Sequence, residues 1–155
     1  MTVTLRPFRN DDGASLLAIH IGAILATSDS YYTAVERESW AHGLNADSYS
    51  AAAAADETFI VAADDSDTPI GFCSFTPTHI VGLYVAADRQ GERTGSELLR
   101  HAEDMLRRSG TAVSRIHSSQ SAVGFYQSHG YVITGETNHP SRGGLAMRAH
   151  CSKKR

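Results

Sequence analysis

The chain contains 155 residues, of which 41% are hydrophobic and 20% are charged, and its formal net charge is −3 at pH 7. This composition is typical of an ordinary globular protein, and no apolar run approaches the ~18 residues that a membrane-spanning helix requires. The start of the chain lacks both the cationic lead and the apolar stretch of a secretion signal. We therefore expect one domain over residues 1–155, located in the cytoplasm and without a membrane partner.

The first half of the chain predicts one strand followed by helices. The strand is VTLRPF, and a helix follows it whose cap is Asn10 or an adjacent aspartate. A capping box of Thr33 and Glu36 predicts the start of a second helix, and the alanine-rich NADSYSAAAAADE predicts a third. The helical spacing that indicates the first helix is carried by Leu17, Ile21, Ile24 and Leu25.

The second half predicts strands that alternate with two helices. The runs TFIVAAD and PIGFCSFT, separated by the turn DSDT, predict an antiparallel hairpin, and HIVGLYV predicts the next strand. An amphipathic helix then ends at Gly110. TAVSRIH predicts a strand, SAVGFYQSHG a short helix, and YVITGET and LAMRAH two closing strands. Mostly antiparallel strands with helices packed on them define the α/β (α+β) class.

The cysteines and histidines show no spacing that is typical of a metal site. Cys73 lies in an apolar run and Cys151 lies near the end of the chain. The eight histidines are scattered, and neither an H-E-x-x-H nor a C-x-x-C motif occurs. The sequence therefore predicts two buried or incidental thiols and no metal.

Charge is divided unevenly along the chain. Residues 1–68 carry a net charge of −8 and residues 69–155 carry +5. This division is typical of a protein whose second half binds an anion and whose first half faces a cation, although solvated faces that differ by chance produce the same totals. Only the final CSKKR and scattered arginines are basic, and the absence of a basic stripe disfavours nucleic acid as a partner.

The turn RQGERTGS joins the strand HIVGLYV to the amphipathic helix. Gly91 and Gly95 allow close approach of the backbone, and the N-terminus of a helix offers unpaired N–H groups to phosphate. The turn is neither a Walker loop nor a dinucleotide-binding G-x-G-x-x-G. Taken alone, it also fits a plain connection between a strand and a helix.

The segment VGLYVAADRQGERTGSELL resembles the central motif of the GNAT acetyltransferase superfamily. In that motif an apolar strand ending L-Y-V leads to [QR]-x-x-G-x-[GA], whose first, fourth and sixth positions are Gln90, Arg93 and Gly95 here. The last motif of the family, an alanine followed by F-Y-x-x-x-G-[FY], is matched from Ala122 to Tyr131. The two motifs and the element order cover nearly the whole chain.

The resemblance implies a mixed, mostly antiparallel sheet of about six to seven strands, flanked by about four helices and splayed between strands 4 and 5. In the family, the gap receives the pantetheine arm of acetyl-CoA, which is the co-substrate, and an amine attacks the acetyl group directly in a ternary complex. The residues implied to contact acetyl-CoA are Leu83, Tyr84, Val85, Gln90, Gly91, Glu92, Arg93, Thr94, Gly95, Ser96, Ser119 and Tyr126.

The chain departs from the family pattern at two positions. Arg93 replaces the usual middle glycine, and Ser119 stands where many members have an asparagine. Neither change blocks phosphate binding, because backbone N–H groups hold the phosphate. Arg93 either adds a charged contact to a phosphate or lies exposed to solvent.

The resemblance also implies the groups that move protons. Tyr126 is the implied acid for the thiolate leaving group, with a tyrosine that only packs over acetyl-CoA as the alternative. His79 stands six residues before Val85, where several members have a glutamate as general base. As alternatives, His79 is only structural, and the general base is Glu36, Glu38 or a water relay. Backbone N–H groups near Val85 polarise the thioester carbonyl.

The segment SDSYYTAVERESWAHG interleaves aromatic and acidic residues, a combination that suits an amine. It supplies Tyr31, Tyr32, Glu36 and Trp40 as substrate-binding candidates, although Trp40 and one tyrosine also fit a core role. His139, in the loop between the last strands, is a further candidate. We expect a small-molecule amine as the acceptor. The alternative acceptors are a protein, a peptide N-terminus and aminoacyl-tRNA. The alternative function is that of a non-catalytic CoA-binding module. Both a monomer and a homodimer remain open.

Overall fold

The computed structural model describes residues 2–111, 114–142 and 145–154. These ranges contain seven strands and five α-helices, with short 3-10 turns between some of them. In chain order the elements are β1 (Thr4–Pro7), α1 (Gly13–Leu25), α2 (Ala34–Ala41), α3 (Ser48–Ala55), β2 (Thr58–Ala63), β3 (Pro69–Phe75), β4 (Ile80–Val85), α4 (Thr94–Arg108), β5 (Ser114–Ser119), α5 (Val123–Ser128), β6 (Val132–Pro140) and β7 (Ala146–Lys154).

The strands form one sheet in the order β1-β2-β3-β4-β5-β7-β6. All neighbouring strands are antiparallel except β4 and β5, which are parallel. The predicted α/β class, with a mixed and mostly antiparallel sheet of six to seven strands, is therefore confirmed. The predicted hairpin is also present, since β2 pairs with β3.

Helices cover both faces of the sheet, and each face has its own core. The core on one face contains Leu98, Leu99 and Leu106 of α4 together with Tyr126 of α5. The core on the other face contains Leu16 and Ile19 of α1 with aromatic residues of the sheet and α3. Residues of β4 alternate between the two cores, because successive side chains of a strand point to opposite faces.

β4 and β5 diverge soon after they meet. Their recorded pairing joins Ile80 to Ile116. β4 nevertheless remains paired with β3 as far as Val85, and β5 remains paired with β7 as far as Ser119. The predicted splay between strands 4 and 5 is therefore confirmed.

The buried face of α1 differs from the prediction. Leu16, Ile19, His20 and Ile24 are buried, whereas Leu25, which the spacing placed on the apolar stripe, is 57% exposed. The helix is rich in apolar residues on most sides, so periodicity alone did not fix which side faces the sheet. The core face includes a histidine as a consequence.

The start of α1 is also arranged differently from the prediction. The Asp12 side chain makes no capping bond to α1; it accepts the Arg9 N–H at 2.7 Å and two bonds from the Arg6 guanidinium at 2.8 and 2.9 Å. Burial raises the pKa of this carboxyl, but the bonds from Arg6 and Arg9 outweigh burial and lower it. The predicted capping box of Thr33 and Glu36 is confirmed at α2.

Both cysteines are free thiols. Cys73 is fully buried in β3, and burial raises the pKa of its thiol. No helix within the described ranges is long and apolar enough to cross a bilayer.

Candidate active site

A cavity of about 480 Å³ lies at the gap between β4 and β5. His20 of α1 and Tyr49 of α3 contribute to its wall on one face of the sheet, and Tyr126 of α5 contributes from the other face. The cavity therefore passes through the sheet where the two strands diverge. Its strand lining consists of His79, Ile80, Val81, Gly82, Leu83 and Tyr84 near β4 and Ile116, His117, Ser118 and Ser119 on β5.

The edge of β4 that faces the gap presents backbone N–H groups. The N–H of Ala86 donates to the carbonyl of Ile70, next to β3, at 2.8 Å. Alternate N–H groups of a strand point to opposite edges, so the N–H groups of Leu83 and Val85 point away from β3 and toward β5. Beyond the Ile80 pair, no pairing with β5 is recorded for these residues, and Leu83 lines the cavity.

The turn between β4 and α4 has the backbone of an anion-binding loop. Gly91 and Arg93 have positive φ angles of 85° and 65°, and Arg93 is the N-cap of α4 without a capping hydrogen bond from its side chain. The first N–H groups of a helix lack partners within the helix. The Thr94 hydroxyl is buried and has no hydrogen-bond partner in the described structure. These unpaired donors fit a phosphate group at this end of α4.

Among the side chains of the turn, Arg93 is a cation that is available to contact a ligand. Glu92 is paired with Arg89 at 3.0 Å, so its negative charge is offset locally. No ion pair is recorded for Arg93 within the described residues, and its side chain is exposed. The Gln90 amide donates to the Val85 carbonyl at 3.3 Å, which places it at the outer end of the gap.

Gly95 and Ser96 connect α4 to α5. A Cβ atom at Gly95 would lie 3.4 Å from the Phe125 ring and 3.5 Å from the Leu83 side chain, which is ordinary van der Waals contact. The Ser96 hydroxyl lies 2.9 Å from Nε2 of His129. The first turn of α4 therefore lies directly against α5 and β4.

Tyr126 lies between the two halves of the cavity wall. Its side chain is 3% exposed and packs edge-on against Phe125 and Tyr131, at ring-centroid distances of 5.2 and 5.5 Å. Burial raises the pKa of Tyr126 well above its usual value. The hydroxyl therefore keeps its proton near neutral pH and can act as a hydrogen-bond donor.

His79 lines the cavity just before β4 begins. Its Nδ1 atom lies 3.0 Å from the hydroxyls of both Thr76 and Thr78. When Nδ1 carries the proton and donates to a threonine oxygen, Nε2 has a lone pair for a proton acceptor role. The opposite tautomer makes Nε2 a donor, so the threonines decide which role His79 has.

The predicted acceptor residues separate into two groups. Tyr32 and Trp40 line the cavity and pack edge-on at a centroid distance of 5.7 Å. The Tyr32 hydroxyl also accepts the Gln120 N–H at 2.9 Å. Tyr31, which is 42% exposed, and Glu36, whose carboxylate is engaged in the capping box, do not line the described cavity.

Two further predicted positions lie at the ends of strands. Ser119 lines the cavity, and its hydroxyl lies 3.1 Å from that of Ser121. His139 lies in β6, opposite Met147, rather than in the predicted loop, because the closing hairpin is longer than its apolar runs indicate. The part of the prediction that concerns the His139 side chain falls outside the described residues.

Several cavity residues were not indicated by the sequence, and His20 is one of them. His20 is 6% exposed, its Nδ1 lies 3.1 Å from the Tyr49 hydroxyl, and its ring is 4.2 Å from that of Tyr84 between centroids. Burial, with a smaller contribution from the charge of Arg142, lowers the pKa of His20 to about 3. Its spacing from Leu16, four residues before it, is the signal that places it on the core face of α1.

Glu57 and Arg142 are two further cavity residues that the sequence did not indicate. Glu57 comes directly before β2, and Arg142 follows β6. The Arg142 guanidinium donates to the Trp40 carbonyl at 3.0 Å, and the hydroxyls of Ser39 and Ser141 lie 2.6 Å apart. The segment after β6 is thereby held against α2 beside the cavity. No local motif surrounds either residue, so only the fold brings them to the site.

Within the described ranges, no group of three or more histidine, cysteine, aspartate or glutamate side chains is arranged to hold a metal ion.

The family model of the acetyltransferase (GNAT) domain matches residues 27–146, which is more than half of the chain. The chain therefore belongs to the GNAT acetyltransferase family. As such it is an acyl-CoA-dependent N-acetyltransferase, with acetyl-CoA as co-substrate.

Individual relatives agree with this assignment. The chain is 29% identical over 137 residues to the peptidyl-lysine N-acetyltransferase YjaB of Salmonella typhimurium, a match that covers 88% of each chain. A GCN5-related N-acetyltransferase from Rhodopseudomonas palustris is 27% identical, with a TM-score of 0.89 and coverage of 99% of this chain and 96% of that one. The PaiA N-acetyltransferase of Thermoplasma acidophilum, in complex with coenzyme A, shares the fold at 21% identity and a TM-score of 0.72, over 100% and 99% of the two chains.

Proposed function

We propose that this acetyltransferase transfers the acetyl group of acetyl-CoA to the primary amine of a small molecule by direct attack in a ternary complex. The observation that carries the proposal is the cavity that crosses the sheet between β4 and β5. Tyr32, Trp40 and Tyr126 all line it, so an amine and a thioester can meet inside one cavity.

The turn and the gap would hold acetyl-CoA. The N-terminus of α4, with Gly91 and the Arg93 backbone, would bind the pyrophosphate, and the exposed Arg93 guanidinium would add a charged contact. The pantetheine arm would lie along the free edge of β4. Acetyl-CoA supplies the activated thioester, and the N–H groups of Leu83 and Val85 would donate to its carbonyl oxygen as negative charge develops there.

Tyr126 would donate a hydrogen bond to the sulfur of the leaving group. A thiol resembling cysteine has a pKa near 8.5, whereas burial raises the pKa of Tyr126 well above 10. Complete proton transfer from this tyrosine to a thiolate is therefore uphill. Stabilisation of the thiolate by a retained hydrogen bond is the role that the burial supports.

His79 would accept the proton that the incoming ammonium must lose. The tautomer with Nδ1–H donated to Thr76 or Thr78 leaves Nε2 as the acceptor at the cavity wall. Glu57 also lines the cavity and is a carboxylate alternative that the sequence alone did not indicate. A His79→Gln variant that retains the wild-type pH profile of kcat/KM would exclude His79 as the base and make Glu57 the next candidate.

A lysine side chain of a peptide is the second candidate acceptor, and the names of the YjaB relatives favour it. A lysine ε-amine is also a primary amine and would require the same catalytic groups. Ser141 and Arg142 are held against α2 and line the cavity, so they limit the space beside Trp40, which favours the smaller acceptor.

The proposal can be tested by offering free amines and lysine peptides with blocked termini in parallel. Acetylated products would be detected by mass spectrometry at saturating acetyl-CoA. We expect free amines to be acetylated with the higher kcat/KM. Acetylation of the peptides alone would replace the small-molecule proposal with the lysine alternative.

A further inference from the structure

The cavity carries charges of opposite sign that act on the same ring. Arg142 and Glu57 both line it. The pKa of Tyr84 is raised to about 12, mainly by burial. The charge of Arg142 lowers this pKa, and the charge of Glu57 raises it. Tyr84 therefore lies within the electrostatic range of both groups. An acceptor beside Tyr84 meets a cation and an anion at once.

Arg142 retains donors for an anionic ligand. Its guanidinium gives one recorded bond, to the Trp40 carbonyl at 3.0 Å, and a guanidinium has five N–H donors in a planar fork. No acidic partner is recorded for Arg142 within residues 2–111, 114–142 and 145–154. This geometry suits a carboxylate, which accepts two parallel bonds from such a fork.

His20 supplies a second donor among the residues that line the cavity. The Tyr49 hydroxyl lies 3.1 Å from Nδ1 of His20 and has no other recorded hydrogen bond in the described chain. If the hydroxyl donates to Nδ1, the neutral imidazole carries its proton on Nε2. That Nε2 atom is buried and unpartnered, and a buried N–H without an acceptor is costly enough that native proteins rarely leave one.

The other charged and titratable groups near His20 do not supply this missing acceptor. Tyr49 and Tyr84 contact its ring, but the Tyr49 hydroxyl lies at Nδ1 and no hydrogen bond from Nε2 to either tyrosine is recorded within the described residues. Arg142 is a cation. An anionic oxygen in the cavity would satisfy His20 and Arg142 together.

We propose that the acceptor is a small amine that also bears a carboxylate, with the carboxylate bound by Arg142 and Nε2–H of His20 and the ammonium group facing Glu57. This inference rests on the proposed small-molecule function and narrows its substrate class to amino-acid-like zwitterions. Two groups of opposite charge that line one cavity fit a zwitterion better than a simple alkylamine, because each charge of the ligand finds a counter-charge.

The test compares acceptors that differ only in the carboxylate. The standard L-amino acids and short ω-amino acids would each be assayed beside their carboxamides and their decarboxylated amines, at saturating acetyl-CoA, with product quantified by mass spectrometry. We expect kcat/KM to be about 10- to 100-fold higher for the best carboxylate than for its carboxamide, the range for a charge-assisted hydrogen bond. Equal rates for the carboxylate and carboxamide would overturn the inference while leaving amine acetylation in place.

Variants then assign the preference to residues. Arg142→Gln should raise KM for the carboxylate-bearing acceptor about tenfold or more with little change in kcat, because the interaction is made equally in the ground and transition states. Arg142→Lys should restore part of the preference. Ser141→Ala loosens the same segment without changing its charge, and it should retain the preference for the carboxylate. Arg108→Gln, at an exposed position on α4, is the control for loss of an arginine elsewhere.

The outcomes separate this inference from the proposed function. An Arg142→Gln enzyme that retains the carboxylate preference would contradict the inference alone. If acetyl-CoA stabilises the protein against heat but no free amine is acetylated, both the inference and the small-molecule function are wrong. A matching loss in Ser141→Ala would show that loop position, not the charge of Arg142, sets the preference.

Discussion

Ile80 of β4 pairs with Ile116 of β5, and beyond this pair the two parallel strands separate. Both side chains are buried, at 0% and 2% exposure, so the pair fixes the narrow end of the gap. The N–H groups of Leu83 and Val85 then point toward the gap, where no pairing with β5 is recorded for them. The proposed roles of acetyl-CoA and of the β4 edge depend on this divergence.

Acetyl-CoA should protect these N–H groups from hydrogen exchange. We expect the exchange of the Leu83 and Val85 amides to slow in its presence, because the gap would then hold acceptors for them. The Tyr84 amide points toward β3 and is the internal control, with a smaller change. NMR-detected exchange with and without acetyl-CoA measures the difference, and equal protection of all three amides would argue against the β4 edge as the binding surface.

Arg93 should lower the stability of the folded protein and raise its affinity for acetyl-CoA. Its φ of 65° lies in the left-handed region, which costs a non-glycine residue about 1–2 kcal/mol. Arg93→Gly should therefore leave the free energy of unfolding unchanged or raise it by up to about 1 kcal/mol, since added freedom of the unfolded chain offsets part of the relief. The same variant should weaken acetyl-CoA binding roughly three- to tenfold if the guanidinium contacts a phosphate.

Arg93→Asn separates the two effects, because asparagine tolerates the left-handed conformation but has no charge. Calorimetric binding of acetyl-CoA should be weakened equally in both variants. Unchanged affinity in both would place the guanidinium in solvent, which was the alternative in the sequence.

His20 should make the folded state sensitive to acid. The pKa of His20 falls from an ordinary 6.5 to about 3 on folding. Below pH 6.5 the unfolded chain therefore binds a proton at His20, whereas the folded chain does not. Stability is thus present above pH 6.5 and is lost as the pH falls toward 3. The loss between pH 7 and pH 5 should be about 2 kcal/mol.

Urea unfolding of the wild type and of His20→Gln at pH 7 and pH 5 measures this contribution. The variant lacks the titrating ring, so its stability should fall by about 2 kcal/mol less over this interval. The exposed His101→Gln on α4 is the matched control. Parallel losses in the wild type and His20→Gln would show that His20 is protonated at little cost in the folded state.

The buried carboxylate of Glu103 should stabilise the fold without serving the site. It accepts the Tyr131 hydroxyl at 2.9 Å and pairs with Lys154 at 3.2 Å, and it is 8% exposed. Glu103→Gln should lower the free energy of unfolding by about 1–3 kcal/mol, because a buried partner loses its charge-assisted bond. Asp104→Asn removes an exposed pair with Arg107 and should cost under about 1 kcal/mol. Similar costs for both, measured by urea unfolding, would contradict a network role for Glu103.

Local patterns were sufficient for most of the fold. The β2–β3 hairpin, the amphipathic α4 and the capping box at Thr33 follow from spacing and turn chemistry that act within a few residues. The apolar face of α1 was misjudged, because its apolar residues surround most of the helix and only the packed sheet selects Leu16 and His20. The extent of the closing strands was underestimated for a similar reason, since β6 and β7 are stabilised by pairing with each other rather than by apolar runs.

The acceptor half of the cavity was the part least accessible from the sequence. Tyr32 and Trp40 were indicated by local composition, but His20, Glu57 and Arg142 come from three distant segments that only the folded sheet brings together. The turn before α4 was found because its residues are contiguous. Sites assembled from contiguous residues leave a motif, whereas sites assembled across elements do not.

The most direct test of acetyl transfer at the gap is amine-dependent release of CoA thiol by the wild type and by Tyr126→Phe. The account predicts release that depends on the amine, with stoichiometric N-acetyl product, and a fall in kcat of about 100-fold in Tyr126→Phe with acetyl-CoA affinity retained. Tyr32→Phe, a change of the same size on the acceptor side, is the control and should affect KM for the amine more than kcat. Wild-type kcat in Tyr126→Phe would contradict the role of the buried hydroxyl, and absence of amine-dependent release would contradict the account as a whole.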